Sequence, residues 1–284
     1  MKKRYLFYTV WFFCALFFFL YRLFPEAEVK KYIEYRAKSA GYALHIGAVR
    51  PAPGPGLVFS PAEIREGDRV VKADAVKIMP CFFSLLGSSP AMDFRAEMYG
   101  GTVEGRVKRE AAEKGDGRNI ISDAVLSGIQ LKEIAALQGM SAHGISGILE
   151  GTVTYSGSDS AGKGNADLRV RDLTVELGTP LLSIASLSFT DAAAKLDMEN
   201  MQVQIRECTV KGNQLGGNMG GTVELKQPLG NSALNLAGSI KPHPSLIARM
   251  GEGMTALLFK SNRGKGEVPF AVRGTLEKPE FLMQ

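Results

Sequence analysis

From Tyr42 onward the chain is built of short segments in which apolar and polar residues alternate, and that alternation restricts it to strands. Phe94, Ala96 and Met98 share one parity. Met201, Val203 and Ile205 alternate with Gln202, Gln204 and Arg206, and Leu234, Leu236 and Ile240 alternate with Asn235 and Ser239. Successive strand side chains point to opposite faces, so a period of two means one buried face and one wet face. Two segments change phase. Leu168 and Val170 are even-numbered whereas Leu173, Val175 and Leu177 are odd, with Arg171-Asp172 between them; likewise Ile205 gives way to Cys208 and Val210. A slip of one residue inside a strand marks a bulge or tight turn, and either bends a sheet. The fold class predicted over residues 41–284 is mainly β, a long, curved, mostly antiparallel sheet shaped as a groove, with a few short helices.

An internal repeat supports the meander. Gly100-Gly101-Thr102-Val103-Glu104-Gly105 is echoed by Glu150-Gly151-Thr152-Val153-Thr154-Tyr155, by Gly220-Gly221-Thr222-Val223-Glu224-Leu225 and weakly by Gly274-Thr275-Leu276-Glu277. Glycine relieves a turn or bulge and the β-branched pair starts a strand, so each copy reads as the start of a hairpin. The copies are irregularly spaced, which excludes a fixed-period solenoid. Helix is expected in three places. Residues 25–40 open on Pro25, carry acids early and Lys30, Lys31, Arg36 and Lys38 later, and stop at Gly41. In that helix Val29, Tyr32, Ile33 and Tyr35 lie against either the membrane surface or the domain. Ser127 to Gly139 has a capping-box pair in Ser127 and Gln130 and an apolar stripe of Leu131, Ile134, Ala135 and Leu137. A short piece is expected from Pro244 to Met250.

The start of the chain is of another kind. Met1-Lys2-Lys3-Arg4 precedes a run from Tyr5 to Tyr21 without a charge, rich in Phe and Leu. As a helix that run spans roughly 26 Å, slightly short of the hydrocarbon core, and Leu23 and Phe24 extend it while Arg22 snorkels. A cleaved signal peptide needs a small-residue cleavage site, but the run exits into the bulky Tyr21-Arg22-Leu23-Phe24-Pro25. Residues 5–24 are therefore expected to be a retained transmembrane helix. Residues 1–4 form a cytoplasmic tail, and the C-terminal domain lies in the periplasm.

Charge and composition exclude several functions. Lys2, Lys3, Arg4 and Arg22 account for most of the net charge of +5, and the rest of the chain is nearly neutral. A nucleic-acid partner is excluded on that ground. From Ala43 onward aromatics are few, which argues against a sugar-binding platform and for an interior of Leu, Ile, Val, Ala and Met. Cys14 lies in the anchor. An oxidising compartment permits a bridge between Cys81 and Cys208, and two buried thiols are the simpler reading.

Candidate chemistry is sparse. Gly157-Ser158-Asp159-Ser160-Ala161-Gly162-Lys163-Gly164 follows a phosphate-loop pattern as far as the lysine, then has Gly164 where Ser or Thr should hold magnesium. It sits between two expected strands, so it reads as a hairpin loop. His45, His143 and His243 have no metal-ligand spacing. Ser141 and His143 sit in Gly139-Met140-Ser141-Ala142-His143, which matches a nucleophile elbow except that His143 replaces the final glycine and a helix leads into it. They are the sole candidates for an exported hydrolase, and a loop pair is the reading preferred. No catalytic, cofactor-binding or metal residue is assigned, and the chain reads as a non-enzyme.

Together the basic start and single anchor, Gly41-Tyr42-Ala43-Leu44-His45-Ile46-Gly47, the turn Pro53-Gly54-Pro55-Gly56-Leu57 and Ile78-Met79-Pro80-Cys81-Phe82-Phe83-Ser84-Leu85-Leu86 carry a resemblance. With the Gly-Gly-Thr-Val segments and Phe270-Ala271-Val272-Arg273-Gly274-Thr275-Leu276-Glu277-Lys278-Pro279-Glu280-Phe281, the chain resembles the type II secretion system protein N family of delta-type proteobacteria. It is also similar to the wider AsmA-like group of periplasmic β-groove proteins. The first resemblance implies an inner-membrane accessory of a secretion apparatus whose partners are other secretion-system subunits. The second implies lipid or envelope-component handling along an apolar groove. Neither implies a catalytic residue or a cofactor.

Overall fold

The computed structural model describes residues 5, 8, 11–12, 15, 18–19, 21–52, 55–66, 69–81, 84, 89–111, 118–134, 144–158, 161–181, 184–226, 229–243 and 267–283. The described part is mainly β and antiparallel, with fifteen strands and one α-helix longer than a single turn. It divides into two units, Met1–Pro80 and Cys81–Gln284.

In the first unit Tyr5, Tyr8, Trp11, Phe12, Ala15, Phe18, Phe19, Tyr21 and Arg22 are helical. Within the expected span 5–24, residues 6–7, 9–10, 13–14, 16–17 and 20 lie outside the described residues, and among the described residues no helix is long and apolar enough to cross a membrane. Helix α1 (Glu26–Ser39) forms as expected, with Pro25 just before it as the N-cap residue. Glu26 and Glu28 in its first turn and Arg36 and Lys38 in its last suit the helix dipole. It ends in a Schellman arrangement. Tyr42 N–H donates to Ala37 O and Gly41 N–H to Lys38 O, while Gly41 takes φ of 88°. Four strands follow: β1 (Ala43–Pro51), β2 (Leu57–Glu66), β3 (Arg69–Ala73) and β4 (Ala75–Pro80). β2 pairs antiparallel with β1, β3 and β4. Ile46 and Val49, each 1% exposed, centre a core with Phe59 and Ala62, and α1 adds Val29 and Ile33 to it. Of the four apolar positions on that helix, these two face the strands while Tyr32 and Tyr35 are exposed.

α1 also closes the outer side of β1. Glu34 Oε1 accepts from Ile46 N–H at 3.0 Å, Glu26 Oε1 accepts from Val49 N–H at 3.1 Å, and Lys30 Nζ donates to Gly47 O at 3.3 Å. Residues 26, 30 and 34 are four apart, so they form one stripe along the helix. That stripe satisfies strand groups that would otherwise need another strand.

The second unit is a meander in which each strand pairs antiparallel with the next from β5 (Ala91–Met98) through β6 (Gly101–Ala111), β7 (Arg118–Gln130), β8 (Ile145–Ser158), β9 (Ala161–Leu181) and β10 (Ile184–Glu199). It continues through β11 (Gln202–Lys211), β12 (Leu215–Glu224), β13 (Ala233–Pro242), β14 (Val268–Thr275) and β15 (Pro279–Met283). Both phase slips are bulges. Asp172, at φ of 51°, lies where β8–β9 pairing jumps between Ser146 and Ile148, and Arg206-Glu207 lies where β11 changes register against both neighbours.

Two local expectations are corrected. Ser127 to Gln130 finishes β7, and in the described part of that stretch Leu131–Glu133 forms a single 3-10 turn. Cross-strand partners Thr102 for Ser127 and Ile148 for Gln130 override the capping-box spacing. Residues 135–143 and the piece 244–250 lie outside the described set. The glycine repeat marks hairpin turns at Gly100-Gly101 and at Gly274-Thr275-Leu276-Glu277, where β14 turns into β15 and Gly274 takes φ of 88°. Gly151 and Gly221 sit inside β8 and β12 at φ of 155° and 137°, where a Cβ would meet the opposing carbonyl oxygen of Asp167 or Asn235 at 2.2 Å. The glycine there admits a neighbouring backbone rather than starting a strand.

Candidate functional site

Directly paired residues lie side by side on one face of a sheet, so the register can be followed from strand to strand. Starting at Phe94, the partners are Gly105, Ala124, Val153, Ala166, Leu196, Ile205, Gly221, Leu236, Val272 and Phe281. One residue from every strand of the second unit joins this row, and each is apolar or glycine. The row beginning at Ala96 runs through Val103, Leu126, Gly151, Leu168, Ala194, Cys208, Met219, Gly238, Phe270 and Met283. The row from Met92 contains Val107, Tyr155, Met198, Val203, Val223 and Leu234, with Ser122 as its one hydroxyl outside tyrosine.

These rows form a strip about 48 Å along the sheet and about 14 Å across it, from ordinary strand spacing and rise. A contiguous apolar surface of that size has to be covered, either by the curvature of the sheet itself or by something bound to it. Val223, Leu236 and Val272 are buried in a cluster with Val203, Ile205, Met219, Leu234 and Phe270. Most other members, such as Val153, Leu168 and Leu196, are half-buried, and Met92 and Phe281 are exposed.

The opposite face is its inverse. From Asp93 the row reads Arg106, Asp123, Thr154, Asn165, Asp197, Gln204, Thr222, Asn235, Arg273 and Glu280, polar on every strand. Ion pairs join neighbours across it: Arg95 with Glu104, Arg169 with Asp191, Arg171 with Glu150, Lys195 with Glu207 and Arg206 with Asp197. Exposed pairs like these contribute about 0–1 kcal/mol each. Their consequence is electrical: positive and negative groups are interspersed, so the wet face has no single-sign patch.

The two cysteines are free and occupy different environments. Cys208 belongs to the apolar rows, and burial pushes its thiol above the ordinary value. Cys81 donates from Sγ to Asp93 Oδ2 at 3.4 Å, while Arg106 forks onto the same carboxylate from Nε at 2.5 Å and from Nη2 at 3.1 Å. Loss of solvent, then the hydrogen bond to the Asp93 carboxylate, raises the Cys81 thiol. The Arg106 hydrogen bond holds Asp93 below the usual carboxylate range. A thiol raised in this way is a poor nucleophile at neutral pH.

The remaining sequence candidates separate. Gly157 and Ser158 end β8 and Ala161 to Gly164 begin β9, with Ser158 paired to Ala161, so the phosphate-loop-like stretch is a hairpin as expected. No helix begins there to hold a phosphate. Ser141 and His143 lie outside the described residues. His45 Nδ1 stands 3.8 Å from Glu34 Oε1, and His243 donates its backbone N–H to Gln214 O. Among the described residues no group of three or more His, Cys, Asp or Glu is placed to hold a metal ion. The alternation in the sequence implied one apolar face, the strand register lines that face up into continuous rows, and the contact of Glu26, Lys30 and Glu34 with β1 was not anticipated.

No family model, curated protein or solved structure matches the chain.

Proposed function

We propose that the chain is an inner-membrane accessory subunit of a type II protein secretion apparatus, acting through a periplasmic sheet. The observation that carries this reading is the one-sided meander. It provides a wet face of balanced charge, an apolar face and an outer edge at β15, which together suit a docking scaffold. The sequence resemblance supports the assignment to a secretion apparatus. Membrane attachment is supported by Tyr5, Trp11, Phe12, Phe18 and Phe19, helical residues each at least 58% exposed, whose surface costs little when covered by lipid. Tyr32 and Tyr35, exposed on α1 soon after that segment, suit the interfacial level where aromatic rings collect. Deleting the gene should retain exported enzymes in the periplasm, and restoring the full chain should release them. Unchanged secretion after deletion ends this reading.

A second reading rests on the apolar strip. Three adjacent apolar rows running strand after strand suit acyl chains, which take up aliphatic surface without needing hydrogen-bond partners. On this reading the chain handles lipid, as the AsmA-like resemblance implies. A photo-crosslinking residue placed at Leu196 in cells should then yield lipid adducts detectable by mass spectrometry. The same probe at neighbouring Lys195, on the wet face, should yield none. Equal labelling at both positions, or none at Leu196, removes the lipid reading.

A further inference from the structure

We propose that β15 is a self-pairing edge, and that two copies of this chain join there through antiparallel strands related by a two-fold axis normal to the sheet.

The starting point is which groups of β15 point away from β14. Thr275 N–H donates to Lys278 O at 3.2 Å, so this pair, at the mouth of the hairpin, is hydrogen-bonded. Hydrogen-bonded and non-bonded pairs alternate in antiparallel sheets. Arg273–Glu280 and Ala271–Leu282 are therefore bonded pairs, and the N–H and C=O groups of Phe281 and Met283 face outward. Among the described residues no strand takes them up. Phe281 and Leu282 are 73% and 44% exposed, one on each face of this short strand. An edge with apolar residues on both faces invites a partner strand. In contrast, the outer side of β1 is already occupied by Glu26, Lys30 and Glu34.

The side chains of β15 choose the partner and the register. Pairing centred on Phe281 sets Phe281 beside its own copy and Glu280 beside Leu282 of the partner copy. All five residues of Pro279–Met283 are then opposed. Pro279, which lacks an N–H, offers only its carbonyl and meets the outward N–H of Met283. Moving the register two residues one way sets Glu280 against Glu280, a like-charge contact across strands. Moving it two residues the other way leaves only 281–283 of the strand's own residues opposed to one another. A shift of one residue sets apolar against polar faces. A two-fold axis normal to the sheet keeps each face on its own side, so the apolar strip of one copy continues into that of the next. Isologous pairing consumes the edge in both copies, and the assembly stops at two. Five residues bury far less than the ~1,200 Å² of an ordinary stable interface, so the pair is weak and depends on both copies sharing a membrane plane.

The test uses the full chain in membranes with Cys14, Cys81 and Cys208 replaced by Ser. In a bonded antiparallel pair the Cα atoms lie about 5.5 Å apart, within the ~4.4–6.8 Å range of a disulfide. Phe281→Cys should give a dimer on mild oxidation. Glu280→Cys alone and Leu282→Cys alone should not, while a mixture of those two variants should. Adding Phe281→Lys to both members of the mixture should abolish its crosslink. All three substituted positions lie on an exposed edge, so the fold tolerates them. Absence of a crosslink for Phe281→Cys, or self-crosslinking of Leu282→Cys in its place, overturns the proposal.

Discussion

The two units treat apolar surface in opposite ways. In Met1–Pro80 a helix packs Val29 and Ile33 onto the strands, and Ile46 and Val49 are almost completely out of water. In Cys81–Gln284 eleven strands form a sheet whose described apolar face is mostly half-buried. A helix laid on a sheet buries both apolar surfaces at once, whereas a lone sheet must curve on itself or keep its face for something else. The first unit thus buries its apolar surface locally, whereas the second leaves much of its apolar face only half-buried.

Five changes test that difference, beginning with the largest effect and ending with the smallest. Gly151→Val in β8 should be the most damaging, costing about 3 kcal/mol or more, because its Cβ would collide with the Asp167 carbonyl and φ of 155° suits only glycine. Urea unfolding read through the second unit should show the loss, and a midpoint like wild type would mean the strands can separate at no cost. The same assay sharpens the contrast between units. Ile46→Ala, at 1% exposure, should cost about 2–5 kcal/mol. Leu196→Ala on the half-buried strip should cost only about 1 kcal/mol. Equal costs would mean the strip is a dry core.

Next comes the helix stripe. Glu34→Ala should cost about 1–3 kcal/mol, the range for losing a charged acceptor, and should speed hydrogen exchange at the Ile46 amide. Unchanged protection would show that the carboxylate does not seal the edge. The smallest effect belongs to the wet face, where Arg169→Ala should change stability by less than about 1 kcal/mol, and less still in high salt.

A pH measurement bears on the second unit. Because the folded chain holds the Cys81 proton more tightly than the unfolded chain does, that thiol contributes stability below its ordinary value near ~8.5. The contribution fades as pH rises from there through the higher folded value. Maleimide labelling of Cys81 in the folded chain should accordingly have its midpoint above the ordinary thiol value, and Asp93→Asn should bring that midpoint down. A midpoint at the ordinary value in both would show that Asp93 does not govern the thiol.

Local features of the fold were legible. The change of parity at Arg171-Asp172 and again after Ile205 located both bulges, because an extra residue necessarily moves later side chains to the other face. α1 was legible from its flanking Pro25 and Gly41 and from its charge order. The stretch from Ser127 misled for an equally local reason. Its capping-box and stripe spacing are helical, but pairing with β6 and β8 extends the strand to Gln130. The repeated Gly-Thr-Val segments misled in the same way, since a glycine that opens a turn and one that admits a neighbouring backbone look alike in sequence.

What this chain determined in sequence alone is its period: alternation from Tyr42 onward, which sorts each strand into an apolar and a polar side through the geometry of the extended backbone. Tertiary structure decided which strands stand beside which and in what register. Only that alignment joins Phe94 to Phe281 in an apolar row and Asp93 to Glu280 in a polar one, because cross-strand hydrogen bonds link residues far apart in the chain. It also decided that Glu26, Lys30 and Glu34 meet the backbone of β1. A helix's own sequence shows that three residues share a stripe, but not which backbone groups that stripe will satisfy.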